Sequence, residues 1–347
     1  MFLSDQLIFW YQIHQRNLPW RHTNDPYFIW LSEIILQQTR VEQGRGYYDA
    51  FVQKYPSISA LANAKEEDVL RLWQGLGYYS RARNLLHAAK TIESKFGGVF
   101  PKEYKQILDL KGIGPYTAAA IASFAYNLPH AVVDGNVYRF LARYFGIETP
   151  INTTKGQKEF QLLAQKILNP EKAAIHNQAI MEFGALQCKP QNPNCIDCPL
   201  KESCLAFAQK KVAILPKKQG KIKVSNRYFN YFVVSNTNNE FLLKKRTEKD
   251  VWFQLYDFPL LETDRALSEI ELTENQIISK FFQTNDFIVH KMYPEKIHLL
   301  SHQRLHLRFI HLIINNYTPK NEFRFFSTKE IQSLPLPRPI EQFFKQL

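Results

Sequence analysis

The stretch from Leu108 to Asn136 constrains the fold of this chain more than any other. Two short glycine signals lie in it, Gly112-Ile113-Gly114 and Asp134-Gly135-Asn136. Before the first, Tyr104, Ile107, Leu108 and Leu110 predict a short apolar-faced helix. After it, Pro115 stands where a first-turn proline belongs, and Thr117 to Phe124 is a good helix former. The pattern over residues 104–124 is helix, three-residue hairpin, helix. Glycines permit the tight turn, and the second helix opens with free N–H groups that hold an anion, typically a phosphate. Alanines at 118, 119, 120 and 122 admit a second helix at close range. Taken alone, the pattern fits an ordinary helix–helix turn equally well.

Charge narrows the partner. The 347 residues are 45% apolar, enough for a large core in one or two domains. Lys plus Arg is 44 against 32 acidic residues, a formal charge of +12. That favours a polyanion such as nucleic acid over a merely cationic surface. No apolar run reaches the length of a membrane span. The first residues contain Asp5 and no small-residue cleavage site, so residues 3–15 are expected to be an amphipathic helix, not a leader. A cytoplasmic protein without membrane contact is expected.

The four cysteines all fall between 188 and 204, whereas a secreted scaffold would spread them. Their spacing is C-x6-C-x2-C-x5-C: Cys188, Cys195, Cys198 and Cys204. By chemistry alone this leaves zinc, an iron–sulfur cluster or two disulfides.

Asp25-Pro26 opens a helix expected to run from Tyr27 to about Tyr48, with Gly44 and Gly46 interrupting its end. Glu33 lies inside it among Trp30, Leu31, Ile34 and Ile35. A carboxyl in apolar surroundings has a raised pKa and holds a proton near neutrality, as a general acid must. The competing reading is a glutamate at the edge of the apolar stripe, solvated or paired with an arginine. Asp134 is placed to cap the following helix, whose apolar face begins at Val137.

Several of these stretches resemble one family. Leu110 to Ala118 resembles the helix–hairpin–helix motif of the endonuclease III-like DNA glycosylases, and Val133 to Val137 the aspartate loop that follows it. Leu18-Pro19-Trp20-Arg21, Trp30 to Thr39 and Gly75 to Asn84 narrow the resemblance to the MutY-type adenine DNA glycosylases. It implies Glu33 as the acid that protonates adenine N7, and Asp134 as the carboxylate that stabilises the positive sugar. Tyr116 and Asn136 would orient Asp134 or the water. Trp20 and Arg21 would line the adenine pocket. Leu36, Gln37 and Gln38 would enter the duplex near the opposing base, and Tyr78 would wedge into it. Lys111, Gly112, Ile113 and Gly114 would contact backbone phosphate. Arg81 and Arg83 would contact phosphate or pair with a protein carboxylate. Lyase members carry a lysine where Tyr116 stands, and a phenol cannot form the imine they need, which implies a monofunctional glycosylase. The cysteine spacing matches the family's, implying one [4Fe-4S] cluster per chain.

Composition shifts near 212. Residues 210–223 carry six lysines, one Pro and one Gly, so 212–224 reads as a basic linker or an arm along DNA. Beyond it the period becomes two. Strands are expected at Tyr228–Ser235, Glu240–Lys244, Phe287–His290, Ile297–Leu300, Leu305–Ile314 and Phe323–Phe326, with a helix at Leu267–Lys280. Trp252 to Pro259 resembles a W-x-x-L-x-x-F-P segment of the Nudix-like C-terminal domains in the same family. The glutamate cluster of a Nudix hydrolase is missing, implying a recognition module. Leu300-Ser301-His302 resembles the short motif that senses 8-oxoguanine; unaided, it reads as a polar turn.

The expected architecture is a mainly α helix–hairpin–helix glycosylase domain with an iron–sulfur loop (1–211), the linker (212–224), and an α+β Nudix-like domain (225–347). The expected protein is a monomer acting in a bacterial cytoplasm, at the nucleoid, on duplex DNA bearing 8-oxoguanine:A or G:A pairs. A thymine or uracil mismatch glycosylase and a catalytically silent lesion binder are the alternatives.

Overall fold

The computed structural model describes residues 2–220, 224–273, 275–314, 317–319 and 322–347. The chain forms two compact units, Met1–Ala64 with Ser80–Gly220, and Lys65–Tyr79 with Lys221–Leu347. Its helices begin with α1 (Leu3–His14), α2 (Pro26–Leu36), α3 (Val41–Lys54), α4 (Ile58–Ala62) and α5 (Glu66–Leu72). They continue with α6 (Ser80–Phe96), α7 (Tyr104–Leu108), α8 (Pro115–Tyr126), α9 (Gly135–Tyr144), α10 (Thr154–Ile167), α11 (Ala173–Leu186) and α12 (Leu205–Ala208). All but α5 belong to the first unit. Among the described residues no helix is long and apolar enough to cross a membrane.

Amphipathic patterning places the core of the helical unit. Leu7 and Trp10 of α1 pack with Phe140 of α9, Phe160 of α10, and Ile180 and Phe183 of α11. Helices α7 and α8 enclose the hairpin. Gly112 is needed there twice over. Its φ is +85°, and a Cβ would lie 2.6 Å from the Cβ of Asn84. Gly114 has ordinary φ and caps α8; it and Pro115 are exposed at the start of that helix, and a Cβ on Gly114 would meet nothing.

The helix expected over 27–48 is two helices. It breaks at Gln37–Arg40, not at the glycines, which α3 runs through. Gln37 leaves helical geometry and Gln38 adopts φ +55°. Arg81 takes up the freed carbonyls: one guanidinium nitrogen donates to Ile34 O at 3.0 Å, to Ile35 O at 3.1 Å and to Gln37 O. Sequence periodicity could not show this, because the partner is 44 residues or more away.

The stretch expected as a linker also differs. As far as Gly220 it is fixed to the helical unit. Leu215 is 2% exposed, Ile151 N donates to Lys217 O at 3.0 Å, and Asn152 and Gln219 exchange bonds of 2.7 and 2.8 Å. Two of its lysines, Lys211 and Lys217, pair with Glu148 at 2.7 and 2.6 Å. A lysine-rich composition masked one buried leucine. Residues 221–223 of the expected linker lie outside the described residues.

The second unit is built on a mixed sheet. Its strands are β1 (Ser225–Ser235), β2 (Phe241–Lys245), β3 (Tyr256–Asp257), β4 (Leu260–Thr263), β5 (Phe287–Met292), β6 (Lys296–Leu299), β7 (Gln303–Ile314) and β8 (Arg324–Phe326). Along the sheet the order is β3-β2-β1-β7-β5, with β4 on β1, β6 on β7 and β8 on β2. Strands β1 and β7 are parallel, from Ser225 opposite Gln303 to Ser235 opposite Ile313. Such a central pair needs cover on both faces. The helices α13 (Glu269–Thr273), α14 (Asn275–Phe282), α15 (Thr328–Ile331) and α16 (Arg338–Phe344) complete the unit. Phe232, Leu242, Ile310 and Leu312 pack with Ile278 and Phe282 of α14. On the other face Tyr231, Phe309 and Phe343 of α16 stack in sequence. Strands β3 and β4 were not legible, being too short for a period to register.

Candidate active site

Helices α2, α8, α9 and α11 and the turn Pro19–Arg21 converge on one cavity of about 220 Å³. Glu33 faces it from α2 and is 8% exposed. Burial pushes its carboxyl up to about 7; the Tyr116 hydroxyl donates a hydrogen bond that pulls the other way, and Asp134 adds to the rise. Burial also keeps the Tyr116 phenol well above its ordinary value, so it remains a donor.

Asp134 caps α9. One carboxylate oxygen accepts the N–H of Asn136 at 2.9 Å and of Val137 at 2.8 Å, and the other accepts the Asn136 side-chain amide at 2.7 Å. Burial raises its pKa, and these donors together with Arg139 oppose the rise. Two carboxyls, Glu33 buried and Asp134 half-buried, thus share a cavity in different settings. Glu33 has a phenol and apolar walls, whereas Asp134 has three donors.

Of the residues singled out in the sequence, Trp20, Arg21, Glu33, Leu36, Gln37, Tyr116, Asp134 and Asn136 line this one cavity. Trp20 is wedged edge-on against Tyr48 at 5.1 Å between ring centres. The Gln37 amide donates to Thr117 Oγ1 at 3.2 Å. Gln38 is exposed just beyond, as are Lys111, Gly112 and Gly114 on their hairpin, while Ile113 anchors the hairpin inward. Arg81 donates to the carbonyls at the end of α2. Tyr78 and Leu300-Ser301-His302 belong to the second unit. There Ser301 and His302 are exposed at a tight turn closed by Leu300 N donating to Gln303 O at 2.8 Å. The Tyr78 hydroxyl bonds that of Ser301.

Sequence reasoning missed Glu182. It is 1% exposed on α11, accepts from Arg16 N, Nε and Nη2 at 2.9, 2.9 and 2.7 Å, and from Arg21 Nη1 and Nη2 at 2.8 and 2.7 Å. Burial alone would raise its pKa; the Arg21 and Arg16 hydrogen bonds outweigh that and hold it at about 2. The signal was the one that exposed Glu33, a lone acid inside an apolar helix. Arg139 and Arg143, four apart on the buried face of α9, were missed too. Arg139 donates to Asn136 Oδ1 at 2.8 Å, to Gly184 O at 2.5 Å and to Cys188 O at 2.7 Å. Gly184 permits the approach: a Cβ there would lie 2.7 Å from Asn136 O.

The four cysteines are free thiols lining a second cavity of about 30 Å³, with Phe140, Phe183 and Leu200 as apolar walls. Arg143 donates to Cys188 Sγ at 3.5 Å and to the Lys189 and Pro190 carbonyls at 2.7 and 3.1 Å. Backbone N–H groups of Leu200, and of Ala206 and Phe207, point at the Cys198 and Cys204 sulfurs. Burial pushes the Cys198 thiol up to about 11 and also raises Cys195 and Cys204. Among the described residues no three His, Cys, Asp or Glu side chains are gathered for a single metal ion.

The fold and the cavity are those of a base-excision class. Residues 31–170 match the HhH-GPD superfamily base excision DNA repair protein family, and residues 230–346 match the NUDIX domain. A thermostable thymine-DNA glycosylase is similar in structure, with TM-score 0.56 and 30% identity over 59% of this chain and 95% of that one. Endonuclease III bound to DNA shares the fold, with TM-score 0.52 and 21% identity over 60% of this chain and 94% of that one. The adenine DNA glycosylase of Buchnera aphidicola subsp. Baizongia pistaciae is 33% identical over 100% of this chain and 97% of its own length. The chain belongs to the adenine DNA glycosylase family, the MutY type, with a helix–hairpin–helix catalytic domain and a Nudix-like C-terminal domain.

The raised pKa of Glu33 makes a stability prediction. An acid whose pKa rises from 4.5 to about 7 on folding contributes fully below pH 4.5, and that contribution is lost as pH rises through 7. Glu33→Gln should therefore stabilise the protein by roughly 3 kcal/mol at pH 8 and by little at pH 4.5. Urea unfolding at the two pH values measures this.

Proposed function

We propose that this protein is a monofunctional glycosylase that removes adenine paired with 8-oxoguanine or guanine in duplex DNA. The observation that carries the reading is a pair of carboxyls, the buried one titrating near neutrality, in a single cavity large enough for one extruded base. Glu33, which still carries its proton in a large share of molecules at neutral pH, gives it to adenine N7, so the base leaves neutral. Asp134, held by its three donors, carries the negative charge that stabilises the oxocarbenium-like sugar. Glu33, now ionised, accepts a proton from the incoming water. Tyr116 orients Glu33 and Asn136 orients Asp134. Among the described residues lining the cavity there is no lysine, which supports simple hydrolysis over the lyase path.

Around this centre, Trp20 and Arg21 hold the adenine. Leu36, Gln37 and Gln38 meet the opposing base and Tyr78 wedges the stack. Lys111 to Gly114 seat a phosphate at the uncovered start of α8. The exposed turn Leu300–His302 reads 8-oxoguanine through a hydroxyl and an imidazole. A monomer on bacterial chromosomal DNA is the corresponding setting.

Single-turnover cleavage of 8-oxoguanine:A, G:A, C:A and G:T duplexes tests the assignment. Adenine should leave fastest opposite 8-oxoguanine. Glu33→Gln should abolish release, at a cost of at least about a hundredfold. Ser301→Ala with His302→Ala should bring the 8-oxoguanine:A rate toward that of G:A. Cleavage of G:T instead would indicate a mismatch relative, and tight binding without release a silent lesion binder.

We also propose that Cys188, Cys195, Cys198 and Cys204 hold one [4Fe-4S] cluster. Four free thiols around one apolar cavity, with N–H groups directed at two sulfurs, fit such a group. Bound there, it would fasten the loop 188–204 to α9 and take no part in proton transfer. Purified protein should contain about four irons and four sulfides per chain. Cys198→Ser should lose both iron and thermal stability, whereas zinc without sulfide would contradict the assignment.

A further inference from the structure

The chain leaves the helical unit at Ala64 and re-enters it at Ser80; the residues between belong to the second unit. Both ends of this excursion are tied down. On α5, Glu67 accepts from Lys245 Nζ at 2.9 Å and from the Tyr256 hydroxyl at 3.1 Å. At the far end, Leu336 N donates to Gln74 Oε1 at 3.3 Å, and the Tyr79 hydroxyl donates to Leu336 O at 3.4 Å. The loop between them is shaped from within, the Trp73 indole donating to Gly77 O at 3.0 Å. Tyr78 has φ +47° there, a conformation a bulky residue keeps only where its surroundings impose it. Its ring is 46% exposed, and its hydroxyl reaches Ser301 in the turn that follows β6.

We propose that Glu67, Gln74 and Tyr79 are positioning residues that make the Tyr78 wedge and the Leu300–His302 turn parts of one recognition body. The inference rests on the glycosylase reading above, and it assigns the wedge loop's placement to the second unit. All four tethering contacts are made by β2, β3 and the segment before α16, none of which touches the reading turn in sequence. The wedge is therefore set by the body of the sheet and not by the Tyr78–Ser301 bond alone. A ring held this way enters the stack at a fixed distance from the groups that test the opposite base. Selection between 8-oxoguanine and guanine then depends on residues that contact neither.

Charge reversal tests this in the full chain. Glu67→Lys sets two ammonium groups against each other, and Lys245→Glu added to it restores an opposite-sign pair. Hydrogen exchange of the free protein over residues 73–80 reads the tether without reference to activity. Glu67→Lys should accelerate exchange there by about threefold, as fits a part-exposed pair, with the double variant returning to the wild-type rate. Single-turnover adenine release reads the consequence. The rate on 8-oxoguanine:A should fall relative to that on G:A in Glu67→Lys and recover in the double variant. A purely structural role would slow both substrates alike. Unchanged exchange over 73–80 overturns the proposal, as does faster exchange with an unchanged rate ratio. If the wild type releases no adenine from either duplex, the glycosylase reading fails, and exchange alone decides whether the tether holds the loop.

Discussion

Everything at the active site depends on keeping two carboxyl groups out of water on opposite sides of one cavity. Burial raises both pKa values, and what differs is the compensation. Glu33 receives one phenol and settles at about 7, whereas Asp134 receives two backbone N–H groups and an amide. Two such groups left alike would share a proton; given unequal donors they can divide the roles of acid and anion. The third buried acid, Glu182, completes the pattern from the opposite direction. Its two arginines hold it ionised at about 2, so it can neither supply nor take the proton. The fold spends α2, α8, α9 and α11 on maintaining that inequality.

Helix α9 carries a second burden. Its cap is Asp134, and one turn later Arg139 binds Asn136, Gly184 and the Cys188 carbonyl together. A further turn on, Arg143 gathers the loop at Lys189 and Pro190 and the docked segment at Leu215. Two buried guanidiniums, each satisfied by several acceptors, are costly to disturb because the acceptors would be orphaned with them. The cysteine loop, the 212–220 segment and the aspartate turn are consequently parts of one hydrogen-bonded body. Through Arg139 and Asn136 the cysteine loop bears on the geometry of Asp134.

Much of this was legible in the sequence, and for physical reasons. Glu33 is conspicuous because a charge inside an apolar helix has to be explained. The hairpin is conspicuous because Gly112 and Pro115 are turn and helix-start chemistry in the right order. Six of the eight strands of the second unit were legible as short runs of apolar and β-branched residues bounded by turn residues. What could not be read was whatever depends on distant partners. The break after Leu36 is made by Arg81; the docking of residues 212–220 hangs on Leu215 within a run of lysines. Glu182 carried the same signal as Glu33, but its partners Arg16 and Arg21 lie more than 160 residues away in sequence. The assignment of Lys65–Tyr79 to the second unit has no local signature, since α5 reads as one more amphipathic helix.

The central claim is that a protonated Glu33 drives bond cleavage. The direct measurement is the pH dependence of single-turnover adenine release from an 8-oxoguanine:A duplex with enzyme in excess. The rate should be level between the titration of Asp134 on the acid side and that of Glu33, bend near pH 7, and fall by about tenfold per unit above it as Glu33 ionises. A rate that rises through pH 7 would mean that the ionised form is the active one, and would contradict the account.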